Sequence, residues 1–222
     1  MNSATVPDVA GSYDQYCPIA RSLDVLGDRW TLLVLRELSM GAQRFTDLRA
    51  SLSGIPPNVL SQRLKRLTEH GLVTVETLPP PAARSVYVLT QRGRDVVPVL
   101  RALVRFGTPE LEPATPDLAL RPQSVAPVVF LAWFDEVEAR LADVDEHYDL
   151  VVDGRTVHLS SRSRALPRQV DEPAAVTVEG PGWAFARLRQ GDTLDDLARD
   201  DTLTVTGSKA ARTRFRRIFA LA

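Results

Sequence analysis

The residues best suited to chemistry lie on one face of a helix predicted over residues 57–70. At 100° per residue, Leu60, Leu64 and Leu67 fall within about 60° of one another and predict a buried side. The opposite side carries Asn58, Gln62, Lys65 and Glu69, with Ser61 and Arg66 on the flanks. This outer face mixes amide, hydroxyl and cationic groups. Asn and Gln pair with adenine, Arg and Lys with guanine, and Ser and Lys with phosphate. The same face also fits a solvated helix surface, so the neighbouring elements must decide between the two.

Residue sets typical of catalysis and metal binding have no recognisable spacing in this sequence. We find no nucleophile–base pair, glycine-rich phosphate loop or carboxylate pair. The histidines, His70, His147 and His158, lack metal-ligand spacing, and a single cysteine excludes an internal disulfide framework. The sequence therefore predicts no enzyme, no metal site and no cofactor.

Length and composition fit a soluble globular protein with one large or two small domains. The chain has 222 residues, of which 44% are apolar and 25% are charged. It contains no apolar run of membrane-spanning length, and its first residues lack the features of a signal peptide. We expect a cytoplasmic protein without a membrane partner. Residues 1–110 carry 13 Lys and Arg against 10 Asp and Glu, whereas residues 111–222 carry 14 against 18, so the first half is mildly basic.

Four prolines between residues 107 and 124 divide the chain into two parts. Such a density of proline breaks helices and strands, which predicts a linker over residues 109–124. The first domain is predicted over residues 13–108 and the second over residues 125–222.

The order of elements in the first domain predicts a helix-turn-helix followed by a β-hairpin. Apolar periodicity with Gly and Pro boundaries places helices near residues 18–26, 30–40, 45–52 and 57–70, strands at 72–78 and 84–89, and a last helix at 91–106. A hairpin in this place is typical of the wing of DNA-binding domains. Arg84 lies beside the predicted wing tip, where it could enter a minor groove or contact phosphate; an ordinary surface position is the alternative.

The second domain is predicted as a small α+β unit. Helices are expected at residues 125–141, 183–189, 194–200 and 209–221, and strands at 148–153, 155–160, 175–179 and 203–206. The overall fold class is therefore α+β, with a winged helix-turn-helix N-terminal domain. A terminal cluster of cations could extend a DNA footprint or balance the acidic run at residues 135–149, and the seven acids of that run favour the second. The cluster comprises Lys209, Arg212, Arg214, Arg216 and Arg217.

An ordered set of motifs runs through the first domain. It includes Cys17-Pro18, Leu26-Gly27-Asp28-Arg29-Trp30, Arg44-Phe45, Gly54-Ile55, Leu60-Ser61-Gln62-Arg63-Leu64-Lys65, Gly71-Leu72-Val73 and Leu89-Thr90. In these residues the domain resembles the HxlR family of bacterial winged-helix regulators, which are relatives of the MarR-type proteins. The resemblance implies a homodimer, paired through the first and last helices of the domain, on a pseudo-palindromic double-stranded DNA operator. It also places Arg44 among the candidate DNA contacts.

Three positions qualify this resemblance. Pro56 stands where many relatives have a serine that caps the recognition helix, and Phe106 replaces a tryptophan. In some relatives a cysteine at the position of Cys17 senses oxidants or electrophiles, and a helix start favours a thiolate. The alternative for Cys17 is a half-buried residue near the dimer interface.

The second domain carries weaker motifs, at residues 148–154, 175–178, 188–191, 203–207 and 215–219. In these it is similar to the sterol carrier protein-type domain. That fold encloses an apolar tunnel, so the similarity implies a hydrophobic small-molecule effector. The implied lining includes Phe130, Trp133, Phe134, Trp183, Phe215 and Phe219. The alternative is a packed core, which is what aromatic residues at helical spacing usually form.

These observations predict a dimeric, sequence-specific DNA-binding transcriptional regulator that acts as a repressor. Its recognition helix, residues 57–70, would lie in the major groove beside the wing. A hydrophobic ligand in the second domain, or modification of Cys17, would modulate binding. The alternative is a hydrophobic-ligand carrier whose winged-helix part serves mainly for dimerisation. The intact outer helix face at Gln62, Lys65 and Arg66 favours the regulator.

Overall fold

The computed structural model of this chain describes residues 12–77, 84–111, 127–129, 131, 144, 146–160 and 173–219. Below, the winged-helix unit means residues 12–111, and the second unit means the described residues from 127 to 219. No helix among these residues is long and apolar enough to cross a bilayer.

The winged-helix unit has the predicted order of helices and strands. It contains α1 (Pro18–Leu26), α2 (Thr31–Leu38), α3 (Phe45–Ser51), α4 (Pro57–Glu69), β1 (Val73–Thr77), β2 (Ser85–Leu89), α5 (Gln91–Arg94), α6 (Val97–Gly107) and a 3-10 turn (Thr108–Glu110). The single helix predicted over residues 91–106 is wrong, because it is divided into α5 and α6. Pro98 has no N–H for the carbonyl of Arg94, and its ring clashes with that carbonyl in a continuous helix.

The wing is an antiparallel hairpin tied to the rest of its unit at two points. β1 and β2 pair from Val73 opposite Leu89 to Thr77 opposite Ser85. Gln43, before α3, adds a bridge to Tyr87, with N–O distances of 3.0 and 2.7 Å. At the other end, a Cβ on Gly93 would lie 2.0 Å from the carbonyl oxygen of Leu72. Only glycine therefore allows α5 to pack this closely against the start of the wing.

The core of the winged-helix unit joins α2 to α4. The buried side chains include Val34, Leu35 and Leu38 of α2, Leu48 of α3, and Leu60, Leu64 and Leu67 of α4, each at most 1% exposed. The buried leucines of α4 recur with the predicted 3.6-residue period, so their burial determines which side of α4 is exposed to solvent.

The second unit is a four-stranded sheet with helices, as the sequence predicts. It contains β3 (His147–Val152), β4 (Arg155–Ser160), β5 (Val176–Gly180), α7 (Gly182–Gln190), α8 (Leu194–Arg199), β6 (Thr204–Gly207) and α9 (Lys209–Phe219). The strand order is β4-β3-β5-β6, with β3 and β5 parallel and the other pairs antiparallel. Asp153 and Gly154 have φ values of 49° and 77°, which form the predicted hairpin turn between β3 and β4. Residues 127–129 and 131 are helical.

An aromatic cluster occupies the core where α9 crosses the sheet. Tyr148 packs edge-on against Phe215 and Phe219, with ring centroids 5.4 and 5.8 Å away. The Tyr148 hydroxyl donates a 2.9 Å hydrogen bond to Glu146, whose carboxylate also accepts from Arg214. Burial and this bond raise the pKa of Tyr148 well above its usual range. The hydrogen bond from Arg214 lowers the pKa of Glu146.

Candidate nucleic-acid interface

The outer side of α4 presents the predicted polar set to solvent. Asn58, Ser61, Gln62 and Lys65 are all exposed, opposite the buried leucines of the same helix. Within the described part of the chain, the side chains of Asn58, Ser61 and Gln62 have no hydrogen-bond partner. Lys65 is 76% exposed and lies 3.8 Å from Glu69, one turn later. Amide, hydroxyl and ammonium groups on one exposed helix face match the edges of bases and the phosphates beside them.

Two arginines on the flank of α4 are paired with groups of the same unit, Arg63 with 14% and Arg66 with 41% of its side chain exposed. Arg63 Nη1 lies 3.1 Å from Asp28 Oδ2, and Arg63 Nε donates to the carbonyl of Arg29 at 3.1 Å. Arg66 also pairs with Asp28 and donates to the carbonyl of Asp24 at 3.3 Å. These contacts fix α4 against the corner between α1 and α2. The role predicted for Arg66 in DNA binding remains a prediction, since its guanidinium is already paired in this structure.

The corner between α1 and α2 is shaped by Trp30. Its φ of 80° is rare for a residue with a side chain, and it stands at the start of α2. The ring packs against the core, and a Cβ on Gly54 would lie 4.0 Å from it. The Arg29 guanidinium lies 5.4 Å from the ring centroid, within cation–π distance. Trp30 thus spans from α2 to the turn that precedes α4.

The first turn of α4 has no side-chain cap. Pro56 occupies the N-cap position with φ −64° and ψ 141°, and Pro57 is the first helical residue. The first hydrogen bond inside the helix runs from Leu60 N–H to the Pro56 carbonyl at 3.0 Å. The N–H groups of Asn58 and Val59 therefore point out of the helix start, where such groups bind phosphate in many DNA complexes.

A groove separates α4 from the wing. Its volume is about 340 Å³, and its lining includes Ser61, Lys65, Thr68, Glu69, Val75 and Tyr87. Arg84 is exposed directly before β2, while the wing tip at residues 78–83 lies outside the described residues. Arg44 stands at the start of α3, 3.9 Å from Asp47 and with 40% of its side chain exposed. The polar side of α4, Arg84 and Arg44 remain the candidate DNA contacts.

Other predicted site residues belong to different surfaces. Cys17 is the half-buried N-cap residue of α1. Of the implied ligand lining, Trp183 is half-buried, and Phe215 and Phe219 pack against Tyr148 in the core of the second unit. Phe130, Trp133 and Phe134 lie outside the described residues. Among the described residues, no group of three or more His, Cys, Asp or Glu is arranged for a metal ion.

Sequence reasoning missed the residues that position the interface. Asp28 holds Arg63 and Arg66 together, and Gln43 pairs with the wing. One signal was available for Asp28: it is an acid directly after a helix-ending glycine, and two arginines three residues apart flank the buried side of α4. No comparable signal marks Gln43, because its bridge is made by backbone atoms.

Comparison with known proteins places this first half of the chain. Residues 25–115 match the family described as HxlR-like helix-turn-helix. The HTH-type transcriptional regulator sll1512 of Synechocystis is 40% identical over 96 residues, which cover 43% of this chain and 71% of that relative. The HTH-type transcriptional regulator YvaP of Bacillus subtilis is 33% identical over 101 residues, covering 45% of this chain and 94% of YvaP. The chain belongs to the HxlR-like helix-turn-helix family.

Solved structures overlap the same share of the chain. A MarR-family chain from Porphyromonas gingivalis is 30% identical and covers 44% of this chain and 96% of its own length, with a TM-score of 0.41. Family membership places the protein among helix-turn-helix DNA-binding regulators. The family match ends at residue 115, so the sterol carrier-type interpretation of the second unit remains a prediction.

Proposed function

We propose that this protein is a sequence-specific transcriptional regulator that inserts α4 into the major groove of its operator. The observation that carries the proposal is the exposed set of Asn58, Ser61, Gln62 and Lys65, which has an amide–hydroxyl–cation composition on one side of a rigidly held helix. A solvated helix face needs no such composition. A carrier that used its winged-helix part only for dimerisation would not need α4 held by the paired arginines Arg63 and Arg66 either.

Base contacts and phosphate contacts fall to different residues in this proposal. Gln62 and Asn58 carry amides that bond the N6 and N7 edge of adenine in a bidentate manner. Lys65 and the free N–H groups at the start of α4 bind phosphate, and Arg84 and Arg44 reach the backbone on either side. The first pair sets sequence preference, and the second group sets the affinity and its dependence on salt.

The proposed assembly is a homodimer. Large apolar side chains are exposed on α1 and α6, including Ile19 (71%), Leu23 (43%) and Phe106 (79%). Such patches mark protein interfaces. A two-fold dimer presents two α4 helices to successive major grooves, about 34 Å apart, and reads a pseudo-palindrome. A dimer seated on a promoter excludes other proteins from that DNA, so repression is the proposed direction of control.

The test is fluorescence anisotropy of the purified full chain on DNA from upstream of its own gene. We expect saturable binding that survives an excess of unrelated DNA and weakens steeply with salt. Light scattering of the free protein should give the mass of two chains, and Phe106→Glu should give one. Binding that unrelated DNA abolishes would contradict the proposal and favour the carrier.

Two regulatory inputs complete the proposal. Cys17 stands at the start of α1 beside the proposed dimer surface, so a bulky or charged adduct there would alter the pairing of the two subunits. Diamide or a quinone should then release DNA from the wild type but leave Cys17→Ser bound. A hydrophobic effector in the second unit should raise the melting temperature of the full chain and change its DNA affinity. Equal release from both proteins, or no shift with lipids and polyketides, would remove the respective input.

A further inference from the structure

A charged contact joins α2 of the winged-helix unit to the hairpin of the second unit. The side chain of Glu37 is only 1% exposed. Its Oε1 accepts hydrogen bonds from Arg36 Nε at 2.9 Å and from Arg36 Nη2 at 2.6 Å. Its Oε2 lies 3.7 Å from Nη1 of Arg155, the first residue of β4. Helix α2, which packs against α4, is therefore linked by one carboxylate to a strand of the other unit.

Glu37 lies outside the face of α2 that packs into the core of the winged-helix unit. Val34, Leu35 and Leu38 face that core and are fully buried. At 100° per residue, Glu37 lies about 110° away from the centre of this face. Leu33, on the same outer side of the helix, is 40% exposed. A glutamate at this position of an isolated winged helix would belong to its surface rather than to its core.

The burial of Glu37 makes its ion pairs important for stability. A buried carboxylate is costly unless positive charge and hydrogen bonds compensate for it. Oε1 is satisfied by Arg36 within α2, whereas Oε2 has no hydrogen-bond partner among the described residues. Nη1 of Arg155 lies 3.7 Å from Oε2 and brings a positive charge to it. That arginine therefore completes the electrostatic environment of an acid in the other unit.

Apolar residues from both parts of the chain extend this contact along α6. A groove of about 420 Å³ is lined by Leu32 of α2, by Leu100 and Val104 of α6, and by Val128 and Leu131. Leu131 is 2% exposed. The segment that opens the second unit thus lies beside α2 and α6, so the apolar contact and the Glu37 contact both join α2 to the second unit.

We propose that this α2–α6 face is a docking surface for the chain's own second unit, that Glu37 is its charged anchor, and that docking sets the affinity for operator DNA. The last clause rests on the function proposed above. The path from Glu37 to the proposed DNA-binding face is short. Helix α2, which carries Glu37, shares one core with α4, so a change at Glu37 is one helix away from the polar face of α4. In YvaP, the match to the winged-helix part of this chain covers 94% of the protein. Such a relative has almost no further chain that could dock there.

Hydrogen exchange of the full-length protein without DNA tests the docking itself. Arg155→Gln removes the cation from a position that is 27% exposed, so the fold of the second unit should be retained. We expect amides of α2 and of residues 152–156 to exchange at least threefold faster. The matched control is Arg199→Gln, which breaks an exposed pair with Asp196 inside the second unit and should leave α2 unchanged. If the two variants give the same exchange in α2, the docking proposal is overturned.

The same Arg155→Gln substitution, made in a protein that already carries Glu37→Gln, shows whether Arg155 acts through Glu37. Glu37→Gln is nearly isosteric and removes the charge that Arg155 compensates. Adding Arg155→Gln to Glu37→Gln should increase exchange in α2 by less than a further 1.5-fold. A full threefold increase in both backgrounds would mean that Arg155 acts elsewhere and would overturn the role of Glu37 as anchor.

Operator affinity tests the regulatory clause. Arg155→Gln should weaken binding at least threefold, and Arg199→Gln should not change it. If Arg155→Gln gives faster exchange in α2 but unchanged or tighter binding to operator DNA, the docking proposal stands and its control of DNA affinity is overturned. If the wild type binds no DNA specifically, the proposed function fails, and the exchange data still decide the docking.

Discussion

Helices α4 and α9 share an amphipathic pattern, but their exposed faces differ in composition. Both are amphipathic, and both carry several cations. On α9, Arg214 pairs with Glu146 and Arg216 with Asp195, which supports the interpretation of this cluster as a balance for acidic residues. On α4, Arg63 and Arg66 are paired with Asp28, while a lysine and a set of uncharged polar groups remain exposed.

The comparison shows that the count of cations does not distinguish a DNA-reading helix. The exposed cations of α9, Lys209, Arg212 and Arg217, have no amide side chains beside them. Such a surface can attract a polyanion but cannot discriminate bases. The outer side of α4 has the amides of Asn58 and Gln62, which can. Of the four predictions below, the first two concern α4 alone, the third compares it with α9, and the last concerns α9.

The largest effect is expected from the core that fixes the orientation of α4. Leu64 is 1% exposed, so Leu64→Ala should lower the free energy of unfolding by about 2–5 kcal/mol. Urea denaturation measures the change, and specific DNA binding should be lost with it. Val75→Ala, in the wing at 49% exposure, is the control and should cost well under 1 kcal/mol. Equal effects at both positions would mean that α4 is not held by this core.

Loss of an amide on α4 should affect sequence preference. Gln62→Ala removes a bidentate partner, so discrimination between the operator and a variant with one changed base pair should fall by about 1–3 kcal/mol. Competition anisotropy with a set of single-base-pair variants measures this quantity. Affinity for unrelated DNA should stay the same, because it depends on phosphate contacts. Preserved discrimination at every position would place the base contacts outside α4.

Loss of a cation should affect salt dependence instead. Lys65→Ala should reduce the slope of log K against log salt by about 1 per subunit and weaken binding to all sequences alike. Arg212→Ala on α9 also removes an exposed cation and should leave the slope unchanged. If Arg212→Ala lowers the slope as much as Lys65→Ala does, α9 belongs to the DNA footprint, and the contrast between the two helices is wrong.

The sequence predicted the parts of this interface that depend on local periodicity. The spacing of Leu60, Leu64 and Leu67 determines which side of α4 is buried, so the exposed set follows from the sequence. The pairing of Asp28 with Arg66 could not be predicted in the same way, because it joins residues 38 positions apart through the corner at Trp30. That corner depends on a positive φ at a tryptophan, which local propensity disfavours.

The sequence predicted the helices and strands of the second unit, but it did not decide whether that unit contains a ligand site. Alternation of apolar residues and the Asp153-Gly154 turn indicate the strands correctly. The spacing of Phe215 and Phe219 favoured a core over a ligand tunnel, and here they pack on Tyr148. The link from Glu37 to Arg155 had no signal in the sequence, since it depends on how two distant parts of the chain meet.

The smallest effect concerns the role of the α9 cations in stability. Glu146 accepts from Arg214 Nε at 3.2 Å, and this bond holds the pKa of Glu146 below its usual value. A carboxyl whose pKa is lowered on folding stabilises the folded state above its unfolded pKa, and the contribution disappears as the pH falls through the folded pKa. Glu146→Gln should therefore reduce stability by up to about 1 kcal/mol at pH 7, and the difference from wild type should diminish below about pH 4.

Thermal unfolding of both proteins between pH 3 and pH 7 measures this difference. The control is Asp200→Asn, which changes an exposed acid at the end of α8. A difference that does not depend on pH would mean that Arg214 is not held by this charge, and would make the cations of α9 as available to a partner as Lys65 of α4.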